Sequence, residues 1–332
     1  MGKPIGSELD GRLFTDLSGL NEEHPVAPSQ EFFIRTRASK LLDTFAPWTV
    51  QVSSTSSNPQ NIAFESLRQK SRSMGVHLME CSGNTRAAHF GMMSVADWEG
   101  VPLQEIIAML KPQKPVARVH IVGFDRYSDE SETSIAGASW IFSPDQLFSA
   151  NAFLAIRMNG QALSPDHGAP VRLVVPGWYG CASIKWVKQI EWVPDDAPAT
   201  SQMQEYAGRT MQDGVPALAR DYRPAMIGAA ALPIRIEKWR VGGRIRYQVI
   251  GLQWGNLRPK PELEIRFSPD EGFAPVENHP PSGSDSWAFW RKEWVPGRPG
   301  RFTIRLRLRK MLSGTERLDA GYYDRSADIS EI

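Results

Sequence analysis

The chain has 332 residues, more than a single hydrophobic core usually organises, so two domains are the default expectation. Its 38 lysines and arginines nearly balance 37 aspartates and glutamates, which argues against a protein that binds nucleic acid through bulk electrostatics. Two cysteines, Cys81 and Cys181, are too few and too far apart for a disulfide framework or a zinc ribbon, and no apolar run is long enough to span a membrane.

Residues 1–30 are polar and interrupted by prolines, which predicts an irregular arm laid over the first domain. The start of the chain has neither the apolar core of a secretory signal nor a twin-arginine pair. We therefore expect a cytoplasmic protein, or a periplasmic one if a leader was removed. Ordered structure is predicted to begin in the segment EFFIRTR at 31–37. Phe32 and Ile34 alternate there with Phe33 and Arg35, a pattern that is typical of a short strand followed by a basic turn.

Helical and strand patterns are mixed in the next part of the chain. Pro102 precedes apolar residues that recur at helical spacing as far as Leu110, which predicts a short amphipathic helix. Strands are predicted at 118–123, 153–158 and 171–175. Because these elements do not follow one another as regular βαβ units, the predicted fold class is α+β.

The pattern changes near residue 227. Runs at 233–239 and 244–249 alternate polar with apolar residues and flank a pair of glycines, which is typical of antiparallel strands joined by a tight turn. Residues 301–309 alternate in the same way, with arginines on the polar face. Several such strands at short intervals predict a β-sandwich, so we divide the chain into domains 1–226 and 227–332.

Motifs of several enzyme classes are absent from the sequence. It has no GxGxxG after a strand, no Walker loop, no GxSxG elbow and no HExxH. None of the six histidines lies three to five residues from another, so a histidine metal site would need tertiary contacts to assemble it. If this chain carries out redox chemistry, the sequence indicates that one bound cofactor performs it.

Two segments carry candidate chemistry. Cys81 stands in MECSGNTR, where Gly83 and Arg86 offer close backbone approach and permanent positive charge to a thiolate. Without that context, a free cysteine is usually a small buried hydrophobe. The run DHGAPVRLVVPGWYGCASIKWV at 166–187 combines glycine turns at strand ends with basic and hydroxyl side chains, a combination that suits phosphate.

These segments resemble motifs of the sulfite oxidase family of molybdopterin-dependent oxidoreductases, in its bacterial form without a haem domain. ECSGNTR is similar to the family's CxGNxR loop, and the run from 166 is similar to DHGxPVRxxxPGxxGxxxxKW. EFFIRTR resembles FFxRxH, and MNG at 158–160 fits the stretch before DHG. Order and spacing agree over about residues 25–190.

The resemblance implies a sulfite-oxidase-type molybdopterin-binding domain followed by an immunoglobulin-like dimerisation domain. It implies molybdenum and molybdopterin as cofactors, with Cys81 as the protein thiolate on the metal, and a homodimer. Arg35 and Arg86 would hold a small oxyanion substrate, and Tyr206 is the best-placed candidate for a tyrosine in the same pocket. The implied cofactor-binding residues are Phe33, Ile34, Arg35, Thr36, Arg37, His167, Arg172, Ser183, Ile184 and Lys185.

The implied activity is oxidation of sulfite to sulfate by oxygen-atom transfer, with electrons leaving to an external acceptor. Two departures bear on this: Arg37 replaces the family's histidine, and the surroundings of Tyr206 in MQEYAGRTM differ from the usual ones. A reductase of nitrate or of an S-oxide on the same scaffold is therefore an alternative. A noncatalytic binding or assembly protein is another. The joint retention of five residues counts against it: Cys81, Arg86, His167, Arg172 and Lys185.

Overall fold

The structure is a computed structural model that describes residues 3–44, 46–54, 57–109, 118–131, 134–255, 262–279, 286–310 and 314–332. Its contacts divide the chain into two compact units. The first unit comprises Met1–Asp16 and Val26–Met226, and the second comprises Leu17–Pro25 and Ile227–Ile332. Within the described residues, no helix has the length and apolar composition that crossing a bilayer requires.

The predicted arm over the first domain is wrong for residues 17–25. Leu17 and Leu20 are buried, and the Arg235 guanidinium of the second unit donates to the Ser18 carbonyl at 3.2 Å and to the Leu20 carbonyl. Trp287 donates its ring N–H to the Pro25 carbonyl at 3.0 Å. This short segment therefore belongs to the second unit, because its apolar side chains and its carbonyls are satisfied there.

The first unit contains short strands and four helices. Its strands are β1 Arg12–Leu13, β2 Ile34–Arg35, β3 Thr49–Ser54, β4 Ser57–Ala63, β5 Arg72–Glu80, β6 Met93–Pro102, β7 Arg118–Gly123, β8 Ser139–Phe142, β9 Phe153–Met158, β10 Gln161–Ala162, β11 Arg172–Val174 and β12 Val187–Val193. Its helices are α1 Phe64–Lys70, α2 Leu103–Ala108, α3 Pro144–Ser149 and α4 Ser201–Tyr206. Leu110, the last residue of the predicted helix, lies outside the described residues.

These strands form three sheets. One has the order β10-β9-β6-β5, with β11 also pairing with β9, and a second has the order β4-β3-β12-β7-β8. In the second sheet β12 runs parallel to β3 and antiparallel to β7, so that sheet is mixed, whereas the strand pairs of the first sheet are antiparallel. β1 and β2 form a separate antiparallel pair that sets Arg12 opposite Arg35.

The path of β5 explains why Cys81 is buried. The strand begins exposed at Arg72, and its last three residues are buried. Met79 and Cys81 then belong to a core cluster that also contains Trp98 and Phe153. Cys81 therefore follows a strand that carries it into the core.

The second unit is built from strands and one short helix. The strands are β13 Ala230–Val241, β14 Arg244–Trp254, β15 Leu263–Arg266, β16 Ala274–Pro275, β17 Glu277–His279, β18 Ala288–Trp294, β19 Gly300–Leu308 and β20 Arg325–Ile329, and the helix is α5 Glu316–Asp319. They form two four-stranded sheets in the orders β13-β14-β18-β17 and β16-β15-β19-β20. Phe267 and Trp294 stack with ring centroids 4.2 Å apart, and Trp294 meets Phe302 edge to face.

The predicted hairpin and the alternating strand are both confirmed. Gly242 and Gly243 have φ of 56° and 81° in the turn between β13 and β14, a region that glycine adopts without strain. In β19, Ile304, Leu306 and Leu308 are buried. The arginines of that strand are partly or fully exposed, as predicted for a solvated sheet face.

Candidate functional site

A cavity in the first unit brings together the segments that the sequence singled out. It encloses about 870 Å³ of space that no protein atom occupies, including its open mouth. Ten of the predicted residues line it: Phe33, Arg35, Thr36, Cys81, His167, Arg172, Ser183, Ile184, Lys185 and Tyr206. Ile34, Arg37 and Arg86 are not among the residues that line it.

Cys81 is only 4% exposed, and its loop is fixed by backbone hydrogen bonds. The Cys81 N–H donates to the Met92 carbonyl at 2.9 Å, and the Asn84 N–H donates to the Cys81 carbonyl at 2.9 Å. The Gly83 N–H points at the Cys81 Sγ at 3.4 Å. Burial raises the pKa of the Cys81 thiol, whereas the Gly83 N–H and the charges of Arg35 and Arg209 lower it. The thiol thus lies among groups that stabilise a thiolate.

Two arginines make one side of the cavity positive. Arg35, at the end of β2, donates from Nη1 to the Leu9 carbonyl at 3.1 Å and from Nη2 to the Ser134 Oγ at 2.9 Å. Arg12 donates to the same carbonyl at 2.8 Å and to the same hydroxyl at 3.4 Å. Burial lowers the pKa of Arg12, and the neighbouring charge of Arg35 lowers it further. An anion bound on this side would offset the repulsion between the two guanidinium groups.

His167 forms part of a second wall, in the 3-10 turn Pro165–His167. Its Nε2 lies 3.1 Å from the Phe32 carbonyl. A carbonyl oxygen can only accept a hydrogen bond, so Nε2 carries the ring proton and donates it to this bond. The unprotonated Nδ1 then accepts a hydrogen bond from the Ser164 hydroxyl at 2.8 Å. Burial lowers the pKa of His167 to about 4. The imidazole is therefore neutral at physiological pH and acts as a fixed, uncharged part of the wall.

Arg172 is a buried cation with a free hydrogen-bond donor. It is 4% exposed and donates from Nη1 to the His167 carbonyl at 3.1 Å and from Nη2 to the Ser183 carbonyl at 3.4 Å. Within the described part of the chain, its buried Nε has no hydrogen-bond partner. Burial lowers the pKa of Arg172 to about 9, so it stays charged at neutral pH. A buried cation with an unused donor suits an anionic group such as phosphate.

Lys185 joins the two walls. Its ammonium donates to the backbone carbonyls of Arg35 at 3.2 Å, of Asp166 at 2.9 Å and of Thr36. Burial lowers the pKa of Lys185 well below its ordinary value, and the Arg172 charge lowers it further. Because these bonds engage the three donors of an ammonium, Lys185 fixes the cavity wall in this structure rather than presenting free donors to a ligand.

Arg37 and Ile34 are sequence neighbours of residues that line the cavity. The Arg37 Nε donates to the Asp166 Oδ2 at 3.0 Å, and the Ala38 N–H donates to the other carboxylate oxygen at 2.8 Å. Ile34 is buried beside Arg35 in β2. Neither residue is among those that line the cavity, and the side chain of Arg37 holds the Asp166 loop.

Arg86 also lies elsewhere than expected. It is exposed, at the start of the 3-10 helix Arg86–Ala88. Tyr206, at the end of α4, lines the cavity and is buried, and the Arg209 guanidinium lies 5.4 Å from its ring centroid. Tyr206 is therefore one of the residues that line the cavity, whereas Arg86 is not among them.

Sequence reasoning missed several residues of the site. Cys181 and Glu205 line the cavity, and Arg209 lies next to the Cys81 loop. Burial raises the pKa of the Cys181 thiol to about 12 and also raises the pKa of Glu205. Only their positions in the sequence could have indicated these residues. Cys181 stands inside the 166–187 run, and Arg209 follows Tyr206 by three residues, about one turn of a helix.

The described residues do not form a metal site from protein side chains alone. Among the residues that the structure describes, no group of three or more histidine, cysteine, aspartate or glutamate side chains could hold a metal ion. Soft metals bind thiolate readily, but one thiolate is not a complete ligand set. A metal beside Cys81 would need further ligands from an organic cofactor.

Comparison with known proteins agrees with this chemistry. Residues 39–201 match the family described as oxidoreductase molybdopterin binding domain. The chain is 24% identical to the sulfite oxidase of Gallus gallus, over 87% of this chain and 66% of that protein. It is 31% identical to the nitrate reductase (NADPH) of Beauveria bassiana, over 43% of this chain and 17% of that protein. The matches therefore span a minor part of the nitrate reductase and about two thirds of the sulfite oxidase.

One solved structure has a similar fold along almost the whole chain. The crystal structure of the sulfane dehydrogenase SoxCD from Paracoccus pantotrophus superposes with a TM-score of 0.70 at 16% identity. The superposition covers 99% of this chain and 89% of that one. At this identity the likeness concerns the fold alone.

Proposed function

Because this chain belongs to the sulfite oxidase family of molybdopterin-dependent oxidoreductases, we propose that it oxidises sulfite to sulfate and passes the electrons to an external acceptor. The observation that carries this proposal is the buried Cys81 thiol in a cavity that Arg35 and Arg172 line. Such walls favour an anionic substrate over a neutral S-oxide, since the cations offset its charge in a partly desolvated pocket.

The described residues fit the family's cofactor, molybdenum held by molybdopterin. The unused buried Nε of Arg172 suits the pterin's phosphate, and Gly168 lets Arg172 pack closely against the DHG turn, because a Cβ there would lie 2.9 Å from the Arg172 Cβ. Phe33 and the neutral His167, whose ring nitrogens are held by Phe32 and Ser164, offer fixed, uncharged ring surfaces to the pterin. We assign Cys81 as the protein ligand to the metal. When bound, the cofactor supplies the two-electron redox change and the exchange of an oxygen atom.

The roles of the chain's own residues follow from charge and position. Sulfite and water give sulfate, two protons and two electrons. Arg35 binds the substrate anion, and Tyr206 donates a hydrogen bond from a phenol whose pKa is raised by burial, so that it stays protonated. Glu205 also lines the cavity, and burial raises the pKa of its carboxyl, which suits it to accept one of the released protons.

The second unit has a proposed role of its own. Its two four-stranded sheets with an aromatic core support an immunoglobulin-like sandwich that acts as a dimerisation domain. Sedimentation analysis of the full chain tests this proposal. A monomer at micromolar concentration would contradict it.

The test of the proposed function uses protein made in a molybdopterin-competent host. Molybdenum per chain and pterin fluorescence after extraction are measured first. Steady-state assays with artificial electron carriers then compare oxidation of sulfite with reduction of nitrate and of S-oxides. We expect turnover of sulfite. Activity in the reductive direction only would instead support a reductase of nitrate or of an S-oxide. Protein without molybdenum would support a noncatalytic role.

A further inference from the structure

Arg209 approaches the Cys81 loop from a different part of the chain. A Cβ built on Gly83 would lie 3.4 Å from the Arg209 Nη1 and 3.8 Å from the Cys81 Sγ. Both distances are measured from the same point, so the guanidinium nitrogen is no more than about 7 Å from the sulfur. The Arg209 guanidinium and the Cys81 sulfur therefore both lie within van der Waals reach of the same point beside Gly83.

The side chain of Arg209 is both positioned and accessible. Its Cζ lies 5.4 Å from the ring centroid of Tyr206, in the range of a cation–π contact. The residue itself is exposed at the end of the 3-10 helix Ala207–Arg209. The guanidinium is therefore close to both the Tyr206 ring and the Cys81 loop, on a residue that solvent reaches.

We infer that Arg209 is a substrate-binding residue that, together with Arg35, holds the oxyanion beside Cys81 in place of Arg86. The inference rests on the proposed function in one respect, that the substrate is a small oxyanion. Arg35 comes from β2 and Arg209 from the turn after α4, so the two cations reach the thiol from separate elements.

The positive charges that act on Glu205 favour the assignment of Arg209 as a substrate-binding residue. Glu205, which lines the same cavity, feels the charges of Arg35, Arg209 and Arg12, and each lowers the pKa of its carboxyl against the effect of burial. Three guanidinium groups therefore act on one small region. A doubly charged oxyanion such as sulfite would be held there by more than one charge-assisted hydrogen bond.

The experiment compares four variants of the cofactor-loaded enzyme. Arg209→Gln removes the charge, Arg209→Lys keeps it, and Arg86→Gln tests the competing arginine. Arg223→Gln is the matched control, because Arg223 is an exposed arginine that pairs with Asp213 and does not line the cavity. The measurements are KM and kcat for sulfite, and the dissociation constant of the product anion sulfate by calorimetry.

We expect Arg209→Gln to raise KM for sulfite and to weaken sulfate binding by about tenfold or more, with unchanged molybdenum content. Arg209→Lys should recover part of this loss, and the Arg86 and Arg223 variants should bind sulfate like the parent. The inference is overturned if Arg209→Gln binds sulfate as the parent does, or if only Arg86→Gln weakens binding. A parent that binds sulfate through Arg209 but does not oxidise sulfite would contradict the proposed function and leave the inference standing.

Discussion

Arg37 and Asp166 form an ion pair, with Nε 3.0 Å from Oδ2, that ties the segment after β2 to the turn before β11. The second carboxylate oxygen of Asp166 accepts the Ala38 N–H, and its backbone carbonyl accepts from Lys185 at 2.9 Å. One residue thereby joins the two motifs that wall the cavity. Arg37 stands where the family has a histidine, and the Arg37 side chain holds Asp166, the aspartate of the DHG motif.

Asp166→Ala should lower the free energy of unfolding by about 1–3 kcal/mol, because the Ala38 N–H loses its acceptor and Arg37 loses its partner. Arg37→Leu should cost less, about 1 kcal/mol at most, because the Arg37 side chain is 39% exposed and the pair is screened by solvent. Urea unfolding of cofactor-free protein measures both values. Equal losses for the two variants would show that the backbone contact of Asp166 is unimportant.

The neutral His167 predicts a pH dependence of stability. Its pKa is lowered to about 4 in the folded chain, whereas an unfolded histidine titrates near its ordinary value of 6.5. Between these values the unfolded state binds more protons, so the contribution of His167 to stability is present above pH 6.5 and is lost as the pH falls through this window. The slope is at most about 1.4 kcal/mol per pH unit.

His167→Gln is the variant that isolates this effect, because its amide can still donate to the Phe32 carbonyl. The difference in unfolding free energy between the parent and the variant should shrink as the pH falls from 6.5 to 4. Urea unfolding at several pH values measures it. A difference that does not vary with pH would contradict a buried, neutral imidazole.

Tyr206→Phe should leave molybdenum content unchanged and lower kcat/KM for sulfite by about a hundredfold, the usual effect of removing a hydrogen bond to a developing charge. Because burial raises the pKa of the phenol, the loss should be the same throughout the neutral range. Steady-state kinetics with an artificial acceptor measure it. Parent-like kinetics would exclude Tyr206 from the reaction.

The strongly patterned parts of the fold could be predicted from the sequence. The bounds of β7 and β9 agree with the predicted strands, and the turn at Gly242 and Gly243 joins β13 to β14 as expected. These elements have regular periodicity and clear turn residues. The position of residues 17–25 could not be predicted, because it depends on contacts with distant residues such as Arg235.

The residues of the site could be predicted where a sequence motif fixes the backbone that carries them. They could not be predicted where tertiary contacts decide the direction of a long side chain. Cys81, His167 and Arg172 line one cavity because the strands and turns that carry them are fixed by hydrogen bonds. The direction of a long arginine side chain depends on tertiary contacts that no local pattern encodes. For that reason Arg86 was expected in the cavity, and Arg209 was not expected beside the thiol.

The central claim is that Cys81 is the protein ligand to molybdenum, and X-ray absorption at the molybdenum edge tests it most directly. The other cysteine offers a matched comparison, because Cys181 is also a buried thiol that lines the cavity. We predict one fewer sulfur neighbour of molybdenum in Cys81→Ser, together with loss of sulfite turnover in a folded protein, and an unchanged number in Cys181→Ser. An unchanged sulfur count and full molybdenum-dependent activity in Cys81→Ser would contradict the account.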